Sequence, residues 1–226
     1  MRTHRSGICA SLVVASLFVA GGQASAASIV LNGSLEDVNG TFVNTACQYM
    51  ALGASSNAIA DWTVSASTTG RIVWANGPTC DTYRASQGSF FVDLSGFGGE
   101  SPNGAIQQQL ATTINQNYVF SLDLSTANDG ATSVTIGADV LALVAGAPFV
   151  VGTTSWTPYT AAFTASTSNP LLTVANASLG AGSIVFVDNV SMVADGPAPV
   201  PEPASAGLLA VGLAGLAARG WYRRRR

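Results

Sequence analysis

Apolar and polar residues alternate in short segments through the middle of the chain. Tyr118, Phe120, Leu122 and Leu124 share one parity; Val119, Ser121, Asp123 and Ser125 share the other. Side chains of a strand point alternately to opposite faces, so this pattern predicts a half-buried strand. Ile184, Phe186, Val190 and Met192 predict a second, and Phe90, Val92 and Leu94 a third. Further strand candidates are Ile29–Leu31, Trp62–Ser65, Arg71–Trp74, Ala105–Leu110, Val134–Ile136, Val140–Val144, Trp156–Phe163 and Leu171–Ala177. Turn-rich links separate them, among them Asn76-Gly77-Pro78, Gly96–Gly104 and Asn128-Asp129-Gly130. About ten short strands at this spacing predict an all-β sandwich or barrel. Helical periodicity is sustained only at the two ends, and residues 27–193 read as one domain without a convincing repeat.

One position breaks the alternation. Asp188 sits on the apolar parity of the last strand, between Phe186 and Val190. A carboxylate facing a core must be hydrogen-bonded or bound to a cation. The other reading is a strand bulge that turns it outward.

The ends read as targeting segments. Arg2, His4 and Arg5 precede the apolar run Ile8–Ala20, and Ala24-Ser25-Ala26 offers small residues for cleavage. Residues 1–26 therefore read as a signal peptide removed by signal peptidase. Export changes the meaning of the cysteines. Cys9 leaves with the signal, and Cys47 and Cys80 remain as an even pair in an oxidising compartment, which predicts a disulfide between them.

At the other end, residues 194–203 form a Pro-rich linker, ending in Val200, Pro201, Glu202 and Pro203. The apolar stretch Ala204–Ala218 has 15 residues. As a helix it spans about 22 Å, against a bilayer core of about 30 Å that needs ~20 residues. Trp221 and Tyr222 extend its usable length at the interface, so residues 204–222 read as a short transmembrane helix. Arg223, Arg224, Arg225 and Arg226 would stay cytoplasmic as a stop-transfer cluster. The segment can halt translocation but makes a marginal permanent anchor, which suits temporary residence in the inner membrane.

Charge narrows the partners. Between residues 27 and 200 the only basic side chains are Arg71 and Arg84, against eleven carboxylates. Such a domain is a poor binder of nucleic-acid phosphates. Catalytic options are few as well. The same region has no histidine and no lysine, which excludes Ser-His-Asp, Cys-His and Schiff-base chemistry. The glycine run Gly96–Gly99 lacks the lysine and helix of a phosphate cradle. A carboxylate pair acting on glycosidic bonds is the remaining enzymatic option, and surface and turn carboxylates are the plainer reading. For binding, Trp74, Tyr83 and Arg84 flank the loop Asn76–Asp81 and are the expected exposed patch for a sugar ring. Burial of Trp74 at one end of the sandwich is the alternative.

Several segments carry a resemblance. Asn32-Gly33-Ser34-Leu35-Glu36-Asp37 resembles the opening motif of galactose-binding-like jelly rolls, and Asp61-Trp62-Thr63-Val64 their following strand. Phe91–Gly96, Ile106-Gln107-Gln108, Tyr118–Leu124, Phe163-Thr164-Ala165 and Val187–Ser191 continue the series in order. Leu35 departs from the usual Phe, and Val38–Asn57 matches no part of the pattern. The resemblance implies a jelly-roll β-sandwich like those of carbohydrate-binding modules and anchored bacterial surface proteins. It also implies a structural calcium held by Glu36 and Asp188.

The C-terminal order of Val-Pro-Glu-Pro, short apolar helix and arginine cluster resembles the PEP-CTERM sorting signal of exported proteins in Gram-negative bacteria that make exopolysaccharide. It implies processing near Pro201-Glu202-Pro203 by an exosortase and delivery to the cell surface or extracellular matrix. The combined expectation is a non-enzymatic, exported matrix or surface protein that binds glycans or serves in adhesion. The alternatives are a purely structural matrix component and, less favoured by the residue inventory, a glycan-active enzyme.

Overall fold

A computed structural model describes residues 27–97, 100–128, 130–145, 154–178 and 182–196. The expected signal peptide, most of the linker, the C-terminal apolar segment and the arginine cluster lie outside the described residues. Among the described residues no helix is long and apolar enough to cross a membrane.

The strands are β1 (Tyr49–Gly53), β2 (Thr63–Val64), β3 (Arg71–Asn76), β4 (Phe90–Asp93), β5 (Ala105–Gln109), β6 (Asn117–Ala127), β7 (Ala131–Ile136), β8 (Asp139–Ala145), β9 (Thr157–Thr164), β10 (Leu171–Asn176) and β11 (Ile184–Ala194). They form a six-stranded sheet in the order β1-β3-β4-β11-β6-β9 and a five-stranded sheet in the order β2-β5-β10-β7-β8. The described strand pairs are antiparallel. The alternation expected for β6 is present, with Tyr118, Phe120, Leu122 and Leu124 buried. Their faces meet Val64, Ile106, Val134 and Val174 of the other sheet in one apolar core. That is the sandwich expected when each sheet hides one face.

One expected strand is absent and one unexpected strand is present, each for a local reason. Ile29–Leu31 is not a strand; the chain turns there, with positive φ at Asn32 and Leu35. Ile29 makes a single ladder-like bond, its N–H donating to Met192 O at 2.8 Å. Conversely β1 lies in the stretch that matched no pattern. Only Leu52 of that strand is buried. An edge strand covered in part on both sides lacks the clean alternation of a half-buried one.

The last strand resolves the Asp188 anomaly. Val185 and Val187 face the core, so Phe186 and Asp188 point to the other side. The register slips between Asp188 and Ser191, with Asn189 at φ 50°. This bulge returns Val190 and Met192 to the core. Gly33 packs against the bulge: a Cβ there would overlap the carbonyl of Val190, whose N–H donates to Gly33 O at 2.8 Å. The glycine of the opening motif is thus needed by the closing motif, more than 150 residues away in the chain.

Candidate functional site

β3 reads Ile72-Val73-Trp74-Ala75, four consecutive buried residues. A continuous apolar run marks a strand covered on both faces. The sandwich core covers one face. A second cluster covers the other, formed by Ala75, Tyr83, Phe91, Ala127 and Phe186. Its cover is the connection from β3 to β4, residues 77–89, which folds back across its own sheet as a strap.

Backbone N–H groups of the strap bond to carboxylates at one end. The N–H groups of Ser86 and Gln87 donate to Asp188 Oδ2 at 2.7 and 3.1 Å. Those of Ser89 and Phe90 donate to Glu36 Oε1 at 2.8 and 2.7 Å. The Ser86 hydroxyl donates to Asp123, the register partner of Asp188. Gly88, at φ +64°, lies so close to the Glu36 carboxylate that any Cβ would collide with it. In the middle, Tyr83 packs edge-on to Phe186 at 5.0 Å. Arg84 N–H donates to Thr154 Oγ1 at 2.8 Å, and Trp156 Nε1–H donates to Arg84 O at 3.0 Å. Towards the other end, Cys80 is joined to Cys47, as the cysteine count predicts.

Glu36 and Asp188 therefore converge on one segment. Asp188 is fully buried. Burial pushes its carboxyl up to about 7; the N–H groups of Gln87, Asn189 and Ser86 oppose that shift, and the charge of Glu36 adds to it. The donor chemistry suits a hard cation such as calcium, which takes six to eight oxygens. Among the described residues, however, no group of three or more His, Cys, Asp or Glu side chains is arranged to hold a metal. Further ligands would have to come from backbone carbonyls, amide or hydroxyl side-chain oxygens, or water.

The raised carboxyls have a consequence for stability. Asp93 is also pushed up to about 7 by burial, against the hydrogen bonds from Ser95 and Gly96. Between about pH 4 and pH 7 the folded chain holds more protons at these two groups than the unfolded chain. Their contribution to stability is fully present at the acid end of that window and is lost as pH rises through about 7. In chelator, melting temperature should fall across the window and Asp188→Asn should flatten the fall. A flat wild-type profile would contradict the raised values of both groups. Calcium held by Glu36 and Asp188 would raise the melting temperature most near pH 7 and reduce the slope; identical curves with and without calcium would exclude it.

The expected sugar-binding patch needs correction. Trp74 has no exposed surface; its indole N–H donates to Leu35 O at 3.1 Å and its ring lies 4.6 Å from that of Phe90. Tyr83 is also buried, but on the opposite face of the sheet. Only Arg84 is exposed. The two aromatic residues do not meet because the strap that joins them wraps from the core side to the outer side.

An open groove occurs elsewhere, at the β2 edge of the five-stranded sheet, with a volume of about 480 Å³. Asn39, Asn57, Asp61, Thr63, Gln107 and Gln109 supply its polar lining, and Leu171 an apolar surface. The alternation of β5 explains the role of the Gln107-Gln108-Gln109 run. Gln108 faces inward, accepting from Leu31 N–H at 2.8 Å and donating to Leu31 O and Asp61 O at 2.8 and 3.0 Å. Gln107 and Gln109 face the groove. Amides both donate and accept, which matches vicinal hydroxyl groups. The signal in the sequence was three consecutive glutamines on a strand between Ile106 and Leu110: with those two facing the core, Gln108 shares their side and Gln107 and Gln109 point away.

No curated protein matches the chain. Among solved structures, it is similar to a carbohydrate-binding module in complex with β-1,4-galactotriose, at 13% identity and TM-score 0.43, covering 74% of this chain and 99% of that one. It is similar to a family 16 carbohydrate-binding module at 15% identity and TM-score 0.40, covering 73% and 99%. An arabinose-bound α-L-arabinofuranosidase matches at 18% identity and TM-score 0.45, over 77% of this chain but only 27% of that one. The chain thus spans about a quarter of the enzyme it resembles. The C-terminal residues meet a family model directly: residues 199–226 match the PEP-CTERM protein-sorting motif, and the chain carries that motif after its β-sandwich.

Proposed function

We propose that this is an exported protein of the cell surface or exopolysaccharide matrix, processed by an exosortase at its C-terminus and binding glycan through a non-catalytic jelly-roll domain. The match of residues 199–226 to the sorting motif carries the first half of this reading. Val200, Pro201, Glu202 and Pro203 are the processing motif, and Arg223 to Arg226 the cluster that holds the chain while it is processed. The amide-rich groove supports the second half. Asn39, Asn57, Asp61 and Gln109 are exposed and lie within one opening, where they can pair with sugar hydroxyls while Leu171 meets a C–H face. Glu36, the opening-motif carboxylate, is engaged with the strap backbone, which favours a structural role over acid–base work.

One preparation tests both halves. Mass spectrometry of the protein recovered from its native producer should find a C-terminus near Pro201–Pro203; an intact Arg226 would overturn sorting. The same material on a glycan array should bind a defined subset. The double substitution Asn57→Ala with Gln109→Ala should weaken that binding about tenfold or more, as expected when a few hydrogen bonds are lost, with little change in melting temperature. Wild-type protein that binds no glycan would leave a structural matrix component.

A further inference from the structure

A second opening lies on the outer face of the six-stranded sheet, away from the groove. It has a volume of about 140 Å³ and is walled by Tyr49, Tyr83, Phe97 and Phe186, with Asp81 and Asp93 among its lining residues. Its floor follows from register. Val73 and Phe186 are the partners of Asp93 on the two flanking strands, and all three point to the outer face. The strap contributes Asp81 and Tyr83, β1 contributes Tyr49, and the turn after β4 contributes Phe97. The rings of Tyr49 and Phe97 stand edge to face at 5.7 Å, and those of Tyr83 and Phe186 at 5.0 Å.

The two carboxylates are held in place. Tyr49 Oη donates to Asp81 Oδ2 at 3.1 Å. Ser95 N–H donates to Asp93 Oδ1 at 2.9 Å, joined by the Ser95 hydroxyl. Neither Arg71 nor Arg84, the only basic residues between 27 and 200, lines the opening.

We propose that this opening is a binding site for a small organic cation, an alkylammonium group. Aromatic faces attract such a cation through their quadrupole. Carboxylates supply the counter-charge, and a cation with apolar substituents sheds water more readily than a metal ion. A hydrated divalent metal would meet aromatic walls that give it no ligands, and an anion would meet two carboxylates. Burial pushes the Asp93 carboxyl up to about 7, so at pH 8 it is mostly ionised and supplies counter-charge. The site is independent of the glycan groove, since no residue lines both.

The test is a titration of the full chain, purified in detergent, with choline at pH 8, followed by calorimetry. Saturable binding is expected. The neutral isostere 3,3-dimethylbutan-1-ol should bind about tenfold more weakly or worse, as should choline with Phe97→Ala or Asp81→Asn. Both substituted side chains are exposed at the rim, so the variants should retain the wild-type melting temperature. Asn57→Ala with Gln109→Ala should leave choline binding unchanged. No choline binding, equal affinity for the neutral isostere, or displacement of choline by equimolar calcium would each overturn the assignment.

Discussion

Trp74→Ala should destabilise the domain by about 3–5 kcal/mol, the usual cost of deleting a buried large aromatic residue. Trp74 has no exposed surface and belongs to the main core. Its ring meets those of Phe90 and Phe42, at 4.6 and 5.4 Å. Truncation would leave a cavity beside Phe42, Phe90 and the Leu35 turn. It would also strip Leu35 O of the indole donor. Leu35 sits in a turn at φ 60°, so that turn, which carries Glu36 to the strap, would lose an anchor. Denaturant unfolding would show a lower midpoint with little change in slope. Trp74→Phe should recover part of the loss because it refills volume without the N–H. If Trp74→Ala instead kept wild-type stability and abolished glycan binding, the indole would have to be a surface ligand and the core assignment would be wrong.

Removing the disulfide should cost about 3–4 kcal/mol in the chain-entropy model. Cys47 and Cys80 are 33 positions apart and tie the start of the strap to the residues before β1. For a domain of this size, that loss corresponds to roughly 10 °C in melting temperature. The double variant Cys47→Ala with Cys80→Ala is the measurement, compared with wild type under oxidising and reducing conditions. The loss should not be uniform. The strap has a second attachment at Asp188 and Glu36, so amide exchange should quicken most around residues 79–83 and least around 86–90. A change of only a degree or two would mean that the carboxylate end alone holds the strap.

The asymmetry of the strap explains why the sequence and the structure disagree about Trp74 and Tyr83. From the chain alone, two aromatic residues and an arginine beside a Gly-Pro turn look like a displayed loop. What hides Tyr83 is Phe186, over 100 residues later. The unbroken Ile72–Ala75 run was the local sign that something covers the outer face of β3. It carried no information on which segment does so. The groove was even less visible. Asn39, Asn57, Asp61 and Gln109 are ordinary loop and edge residues until β2 pairs with β5 and brings them together.

The sequence by itself determined the features that depend on near neighbours and on composition. Alternation at Tyr118–Leu124 set a strand and its buried face, because side-chain direction has a period of two residues wherever the strand lies. The cysteine pair was legible from the count together with the expected export, and the sorting motif from its linear order. Only the tertiary structure decided the orientation of Asp188. A bulge shifts parity by one residue, and the chain adopts it because Val185 and Val187 before it and Val190 and Met192 after it must all reach the same core. The same long-range packing settled which aromatic residues are hidden and where openings remain, since burial depends on contacts between residues far apart in the chain.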